Sequence, residues 1–261
     1  MSTETIMLYS ESGGVSKTAS AASLARTAAG EGMKTLLIDL DPRGATTKWL
    51  GVAPKEQGLH VGAIIADEDP EGWAGELMVQ SSWHKNLFVI PSDRALSLRE
   101  ADKADHAELR LKRSLMGVDV DLVVIDCPNR QGGVLTLSAL TAATKVVYAS
   151  TPTGDGYDGV LGARQSVQRY QQARQLMGAP ATLTEAGIVL GGVQETVMSR
   201  MTKATIDNLR ATGLLLTPLI PHRTIVQEVR EIQEWYGDYR KGQPVAAAYQ
   251  EILKTILGTK E

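Results

Sequence analysis

Residues 6–18 read Ile-Met-Leu-Tyr-Ser-Glu-Ser-Gly-Gly-Val-Ser-Lys-Thr. An apolar run enters a glycine turn that ends in Lys17-Thr18, which predicts a strand at 5–10 and a helix at 17–30. This is the layout of a phosphate-binding loop. In such a loop successive backbone N–H groups curl around the phosphates, the Lys neutralises the terminal ones and the Thr hydroxyl holds magnesium. The helix that follows adds its positive end. Candidate nucleotide contacts are therefore Gly13, Gly14, Val15, Ser16, Lys17, Thr18 and Ala19. The general pattern has Gly where this chain has Glu11 and Ser16. If Ser16 has to adopt a left-handed conformation, the strain costs about 1–3 kcal/mol. Alone, the stretch also fits a strand–turn–helix junction with a chance Lys-Thr.

Two further segments argue against chance. Lys34-Thr-Leu-Leu-Ile-Asp-Leu-Asp-Pro-Arg-Gly-Ala-Thr-Thr is a second strand ending in Asp39 and Asp41. Residues 118–128 hold a third, Leu-Val-Val-Ile, ending in Asp126-Cys127-Pro128. Carboxylates at the carboxyl ends of parallel strands lie where open sheets bind ligands. Asp126 is then placed to hold magnesium through water, and Asp41 to orient the water that attacks a terminal phosphate. Any one Asp is also a common cap after a strand, but three in this order beside a phosphate loop specify a nucleotide site. Lys17 and Asp41 are the catalytic candidates, and Thr18 and Asp126 the metal ligands.

The rest of the chain alternates strands with helices. Strands are expected at 5–10, 34–40, 86–91, 121–126, 145–150, 186–193 and 214–220. Helices are expected at 17–30, 93–116, 132–143, 157–177, 201–212, 223–236 and 244–257. Crossovers of this length imply an α/β fold with a doubly wound, mostly parallel sheet. The 261 residues are 43% hydrophobic with a single Phe, which suits strands sealed on both faces. Nothing linker-like separates the motif segments, so one domain over 1–261 is expected. Segment 51–85 is the least regular; it holds Trp73 and Trp83, with Trp49 just before it, and these are read as packing residues. The lone Cys127 and the lack of a signal-type N-terminus or a spanning apolar run point to the cytoplasm.

The three motif segments, with Leu137-Ser-Ala-Leu-Thr-Ala-Ala and Ile220-Pro221, resemble the ParA/MinD family of P-loop ATPases over nearly the full length, its ParA branch most closely. The resemblance implies ATP and Mg2+ as cofactors, an ATP-dependent homodimer, and hydrolysis stimulated by a ParB-like or cargo-adaptor protein. It also implies nonspecific DNA binding that places the protein on the nucleoid, and partition or positioning of a plasmid, chromosome or other cargo. Higher assemblies are an alternative. In the family a signature Lys early in the loop reaches the partner's phosphates; here the position is Ser12, and the usual Gln after Asp-x-Asp-Pro is Arg43. Slow hydrolysis is expected, with Arg43 and Arg130 as substitute cations. Other readings are a positioning ATPase for a protein microcompartment, or a switch or filament scaffold with little hydrolysis.

The net charge of −3 excludes a uniformly basic DNA binder, but residues 196–245 carry seven Lys or Arg against five Asp or Glu. Phosphate contacts need cations on one face only. With the DNA binding that the resemblance implies, Arg200, Lys203 and Arg223 are the candidates there. Val245, Ala248, Tyr249, Ile252, Leu253, Ile256 and Leu257 give the last helix an apolar face. Its polar side sets Lys254 and Lys260 against Glu251 and Glu261, too few cations for a membrane-surface helix, so docking without membrane contact is expected. The four His are scattered and one Cys is too few for zinc or a shared cluster. Arg94, Arg99, Arg110, Lys112 and Arg113 read as the solvated side of a mixed-charge helix.

Overall fold

A computed structural model describes residues 3–180, 183–196 and 198–258. Seven strands form one sheet: β1 (Glu4–Tyr9), β2 (Thr35–Asp39), β3 (Val79–Gln80), β4 (Leu87–Ile90), β5 (Leu122–Asp126), β6 (Lys145–Ser150) and β7 (Thr184–Leu190). The helices are α1 (Lys17–Gly30), α2 (Ala45–Trp49), α3 (Val61–Ala66), α4 (Trp73–Leu77), α5 (Arg110–Ser114), α6 (Gly133–Ala142), α7 (Gly154–Leu176), α8 (Arg200–Ala211), α9 (Ile225–Glu231) and α10 (Gln243–Leu257). The strand order is β3-β4-β2-β5-β1-β6-β7, parallel except for the β3–β4 edge. This is the doubly wound α/β architecture expected.

Alternation within the strands builds the two faces. Met7 and Tyr9 of β1, Leu36 and Ile38 of β2 and Val123 and Ile125 of β5 join the core under α3, α6, α7 and α8. Ile6, Leu8, Leu37, Leu122 and Val124 point the other way, into the core shared with α1 and α10. With both faces covered, β2, β4 and β5 are apolar between their ends, and period-two patterning disappears from them. The register sets Asp39 of β2 directly opposite Asp126 of β5, and Leu8 of β1 opposite Asp126 on the other side. The two acidic strand ends therefore abut.

Some local expectations fail for identifiable reasons. The helix expected at 93–116 is broken: a 3-10 segment, Arg94–Ala101, is followed by an irregular link, a 3-10 turn at Ala107–Leu109 and then α5. His106 in the link is left-handed, at φ 59°. Arg110 is buried rather than solvated and donates to the Ile65 carbonyl at 2.7 Å, so a tertiary contact overrides the helical run. The strand expected at 214–220 makes a single isolated bridge, Ile188–Leu215, with a second just past its end, Val193–Pro221. Pro218 lies within that run and cannot donate to a ladder. The short β3, α3 and α4 were not expected inside 51–85.

Of the tryptophans read as packing residues, Trp49 and Trp83 are buried and Trp73 is half-buried against the core. Trp49 is edge-on to Trp83 at 5.3 Å, and Trp83 lies 5.5 Å from the buried Trp235. The apolar side of α10 (Val245, Ala248, Tyr249, Ile252, Leu253 and Ile256) is buried, as docking requires. Lys260 and Glu261 lie outside the described residues. No described helix is long and apolar enough to cross a membrane.

Candidate nucleotide site

The phosphate loop folds as a strand–turn–helix at the carboxyl edge of β1. Ser16, the residue before α1, is left-handed at φ 64° and ψ 17°, and its side chain does not cap the helix. The first turn of α1 has no acidic residue either, so its amide groups and positive end remain available to an anion. The conformation expected to strain Ser16 is thus the one adopted. The chain tolerates the side chain because Gly191 opposes it: a Cβ at Gly191 would lie only 3.0 Å from Ser16 Cβ. Ser16→Gly should stabilise the fold by about 1 kcal/mol in chemical denaturation, because the left-handed strain disappears. A loss of stability would show that side-chain packing against Gly191 outweighs the strain.

Below the loop lies a carboxylate layer. Asp126, fully buried, accepts from Thr18 Oγ1 at 2.8 Å and from Thr46 Oγ1 at 2.7 Å, both on Oδ2. Its Oδ1 is buried with no hydrogen-bond partner among the described residues. Asp39, also fully buried, is satisfied: it accepts from Thr47 N and Oγ1 at 2.8 and 2.7 Å and from Asp41 N at 3.2 Å. Burial, with the Asp126 carboxylate alongside, pushes Asp39 well above the usual carboxylate range. Asp126 is raised by burial too, against the opposing pull of Lys17 and the Thr46 and Thr18 hydroxyls. Asp39 is accordingly an anchor, holding the 41–47 turn to the sheet through Thr47, whose hydroxyl also accepts from Ser92 N at 2.8 Å.

Above it is a cavity of about 480 Å3. Gly13 to Ala19 line it without interruption, together with Asp41, Arg43 and Asn129. All the candidate loop residues and Asp41 therefore share one space, and Asp126 reaches its edge through Thr18. Asp41 Oδ1 accepts the Arg43 N–H at 2.9 Å, while Oδ2 accepts no hydrogen bond among the described residues. The far end of the cavity is closed by Ile220, Pro221, Tyr236 and Tyr249. The residues fit a triphosphate with Mg2+: a helix amino end, a lysine, a threonine hydroxyl and an orphaned carboxylate oxygen meet there. No described cluster of three or more Asp, Glu, His or Cys could enclose a metal by itself. Such an ion would be held jointly by Thr18, Asp126 and phosphate oxygens, as Mg2+ ordinarily is.

Glu11, a departure from the general loop pattern, and Ser12, at the family's signature position, are both engaged with α7. Ser12 Oγ donates to the Asp155 carbonyl at 2.7 Å. Glu11 accepts from Tyr9 Oη at 3.1 Å and Ser166 Oγ at 2.6 Å. A Cβ at Gly159 or Gly162 of α7 would overlap these two side chains. Residues 154–157 form the first turn of α7, capped by Thr153.

Of the other candidates, Arg200 and Lys203 lie in the first turn of α8, both solvent-accessible. Arg223 is instead at the cavity, ion-paired with Glu195. Arg130 pairs with Glu100 at 2.8 Å. Sequence reasoning missed Thr46, Asn129 and the Tyr236–Tyr249 wall. Thr46 and Asn129 had a signal, the first following the Asp-Leu-Asp-Pro turn and the second directly after Asp126-Cys127-Pro128; the tyrosines come from a distant segment and had none.

Comparison with known proteins agrees with this geometry. A family model described as an AAA domain matches residues 3–177. The chromosome-partitioning ATPase Soj of Treponema pallidum is 31% identical over 204 residues, covering 77% of this chain and 74% of that protein. Cobyrinic acid a,c-diamide synthase from Mycobacterium smegmatis, solved with an ATP analogue and magnesium, superposes with a TM-score of 0.78 at 25% identity, over 98% of this chain and 95% of that one. Apo McdA of Cyanothece shares the fold, with a TM-score of 0.82 at 21% identity over 98% and 100% of the two chains. The chain belongs to the ParA/MinD family of P-loop ATPases.

Proposed function

We propose that this member of the ParA/MinD family acts as one ATPase domain over its whole length and positions cargo by an ATP-driven cycle. In that cycle it binds ATP with Mg2+, pairs with a second copy, holds DNA without sequence preference, and hydrolyses ATP when a ParB-like or cargo-adaptor protein engages it. The observation that carries the reading is the convergence of Lys17, Thr18, Asp41 and the orphaned Asp126 oxygen around one cavity at the amino end of α1. Lys17 and the α1 amides bind the phosphates; Thr18 and Asp126 hold the metal; Asp41 orients the attacking water. Magnesium, when bound, neutralises the β- and γ-phosphate oxygens. Basal hydrolysis is slow, because Ser12 offers no charge and is turned toward α7. The Treponema relative, by its name a chromosome-partitioning ATPase, favours a DNA cargo and a place on the nucleoid in the cytoplasm.

The DNA face is assigned first to Arg200 and Lys203. Two cations at the positive end of the 12-residue α8, with no acidic residue in its first turn, add to the helix dipole rather than offset it. Arg223 contributes less because Glu195 already engages it. The test is ATP-dependent DNA binding across a salt series. Binding should be sequence-tolerant and steeply salt-dependent. Replacing Arg200, Lys203 and Arg223 by Ala should flatten the log–log slope by about 2, since each phosphate contact contributes about 0.9. An unchanged slope would remove this face from the assignment. Absence of DNA binding with any nucleotide would favour a nucleotide switch or scaffold.

A further inference from the structure

Among the described residues, four Lys or Arg line the cavity: Lys17, Arg43, Arg223 and Arg230. Two of the arginines are engaged. Arg223 pairs with Glu195 at 2.5 Å and donates to the His222 carbonyl at 2.9 Å. Arg230 lies over the Trp49 ring, 5.3 Å from its centroid. Arg43 differs. Its guanidinium has no ion pair or hydrogen bond among the described residues, whereas its main chain is pinned on both sides. The Arg43 N–H donates to Asp41 Oδ1 at 2.9 Å, and its carbonyl accepts from Lys48 Nζ at 2.8 Å. A left-handed Gly44, at φ 63°, completes the turn that presents Arg43 beside Asp41.

The charge balance of the site calls for such a group. The terminal phosphate of a nucleoside triphosphate carries up to about two negative charges near neutral pH. The strand ends beneath already hold the Asp39 and Asp126 carboxyls, and Lys17 is the only cation on the loop itself. Ser12 and Arg130 cannot serve as they stand, one turned to Asp155 and the other paired with Glu100. A guanidinium on a fixed turn, with its fork of donors unused, matches phosphate oxygens better than an ammonium would. The geometry points to Arg43 as the residue that recognises the terminal phosphate within its own chain, so that the site distinguishes a nucleoside triphosphate from a diphosphate. This rests on the nucleotide-site reading above and assigns a residue within it.

The test is calorimetric titration of the full chain with Mg2+ and either ADP or a non-hydrolysable ATP analogue. The proteins compared are the natural one and its Arg43→Ala, Arg43→Lys and Arg130→Ala variants. Arg43→Ala should lose at least tenfold in affinity for the triphosphate and no more than twofold for ADP. Arg43→Lys should fall between, and Arg130→Ala should keep both affinities. Arg43 is exposed, so the variants should melt like the natural protein. Equal loss for both nucleotides, or no loss for either, overturns the role of Arg43 while leaving the site in place. Failure of the natural protein to bind either nucleotide overturns the site reading and this inference with it.

Discussion

Lys17→Ala is expected to bind ATP at least tenfold more weakly than the natural protein, a loss of about 1.4 kcal/mol or more. Lys17 opens α1 directly after the left-handed Ser16, and the residue is only 8% exposed. Lys17 also lines the cavity, so its ammonium, on a largely enclosed stem, already stands where phosphate arrives. Its charge also opposes the burial that raises Asp126. Removing it leaves the phosphates facing a buried carboxylate pair without their nearest cation. The helix amides remain, so binding should weaken rather than vanish. Equilibrium binding, with circular dichroism to establish that the variant is folded, measures the effect. Unchanged affinity in a folded Lys17→Ala protein would sink the phosphate-loop assignment.

Asp41→Ala should keep ATP affinity within about threefold while turnover falls at least about a hundredfold, the lower range for losing a positioned acid–base group. Asp41 sits at the cavity with one carboxylate oxygen occupied by the Arg43 N–H and the other free of hydrogen bonds among the described residues. It is held there from its main chain, whose carbonyl accepts from Ser92 Oγ at 2.8 Å and from Gly44 N at 2.9 Å. Because Asp41→Ala also removes the side-chain acceptor of the turn, Asp41→Asn is the matched variant. It keeps an oxygen for the Arg43 N–H and loses the charge. Both should bind ATP and fail in single-turnover hydrolysis, trapping the triphosphate state. If binding falls together with turnover in both variants, Asp41 belongs to metal retention or to the turn, not to the chemistry.

These expectations rest on parts of the molecule that were unevenly legible. Helix α1 was bounded at 17–30 from sequence because glycines and a polar turn precede it and a regular run follows. The strands carrying Asp39 and Asp126 were equally plain, as short apolar runs ending in a carboxylate. Segment 93–116 misled because its mixed charges suit a helix surface, whereas Asp93 capping a 3-10 segment and Arg110 reaching the Ile65 carbonyl fix another shape. Segment 214–220 misled because apolar residues mark a buried extended chain whether or not it joins a ladder.

The sequence by itself determined which side chains stand at strand ends and at the head of α1, because those placements follow from neighbours a few residues away. Only the tertiary structure decided which of them meet. Thr18 and Thr46 share one oxygen of Asp126 from 108 and 80 residues away, and Asp39 faces Asp126 because β2 lies next to β5. The same holds for Ser12 and Glu11 turned onto α7, and for Arg130 held by Glu100 while Arg43 stays unpaired among the described residues. Hydrogen bonds and ion pairs act over a few ångströms, so their partners depend on strand order and helix docking. No local pattern in this chain encodes that order.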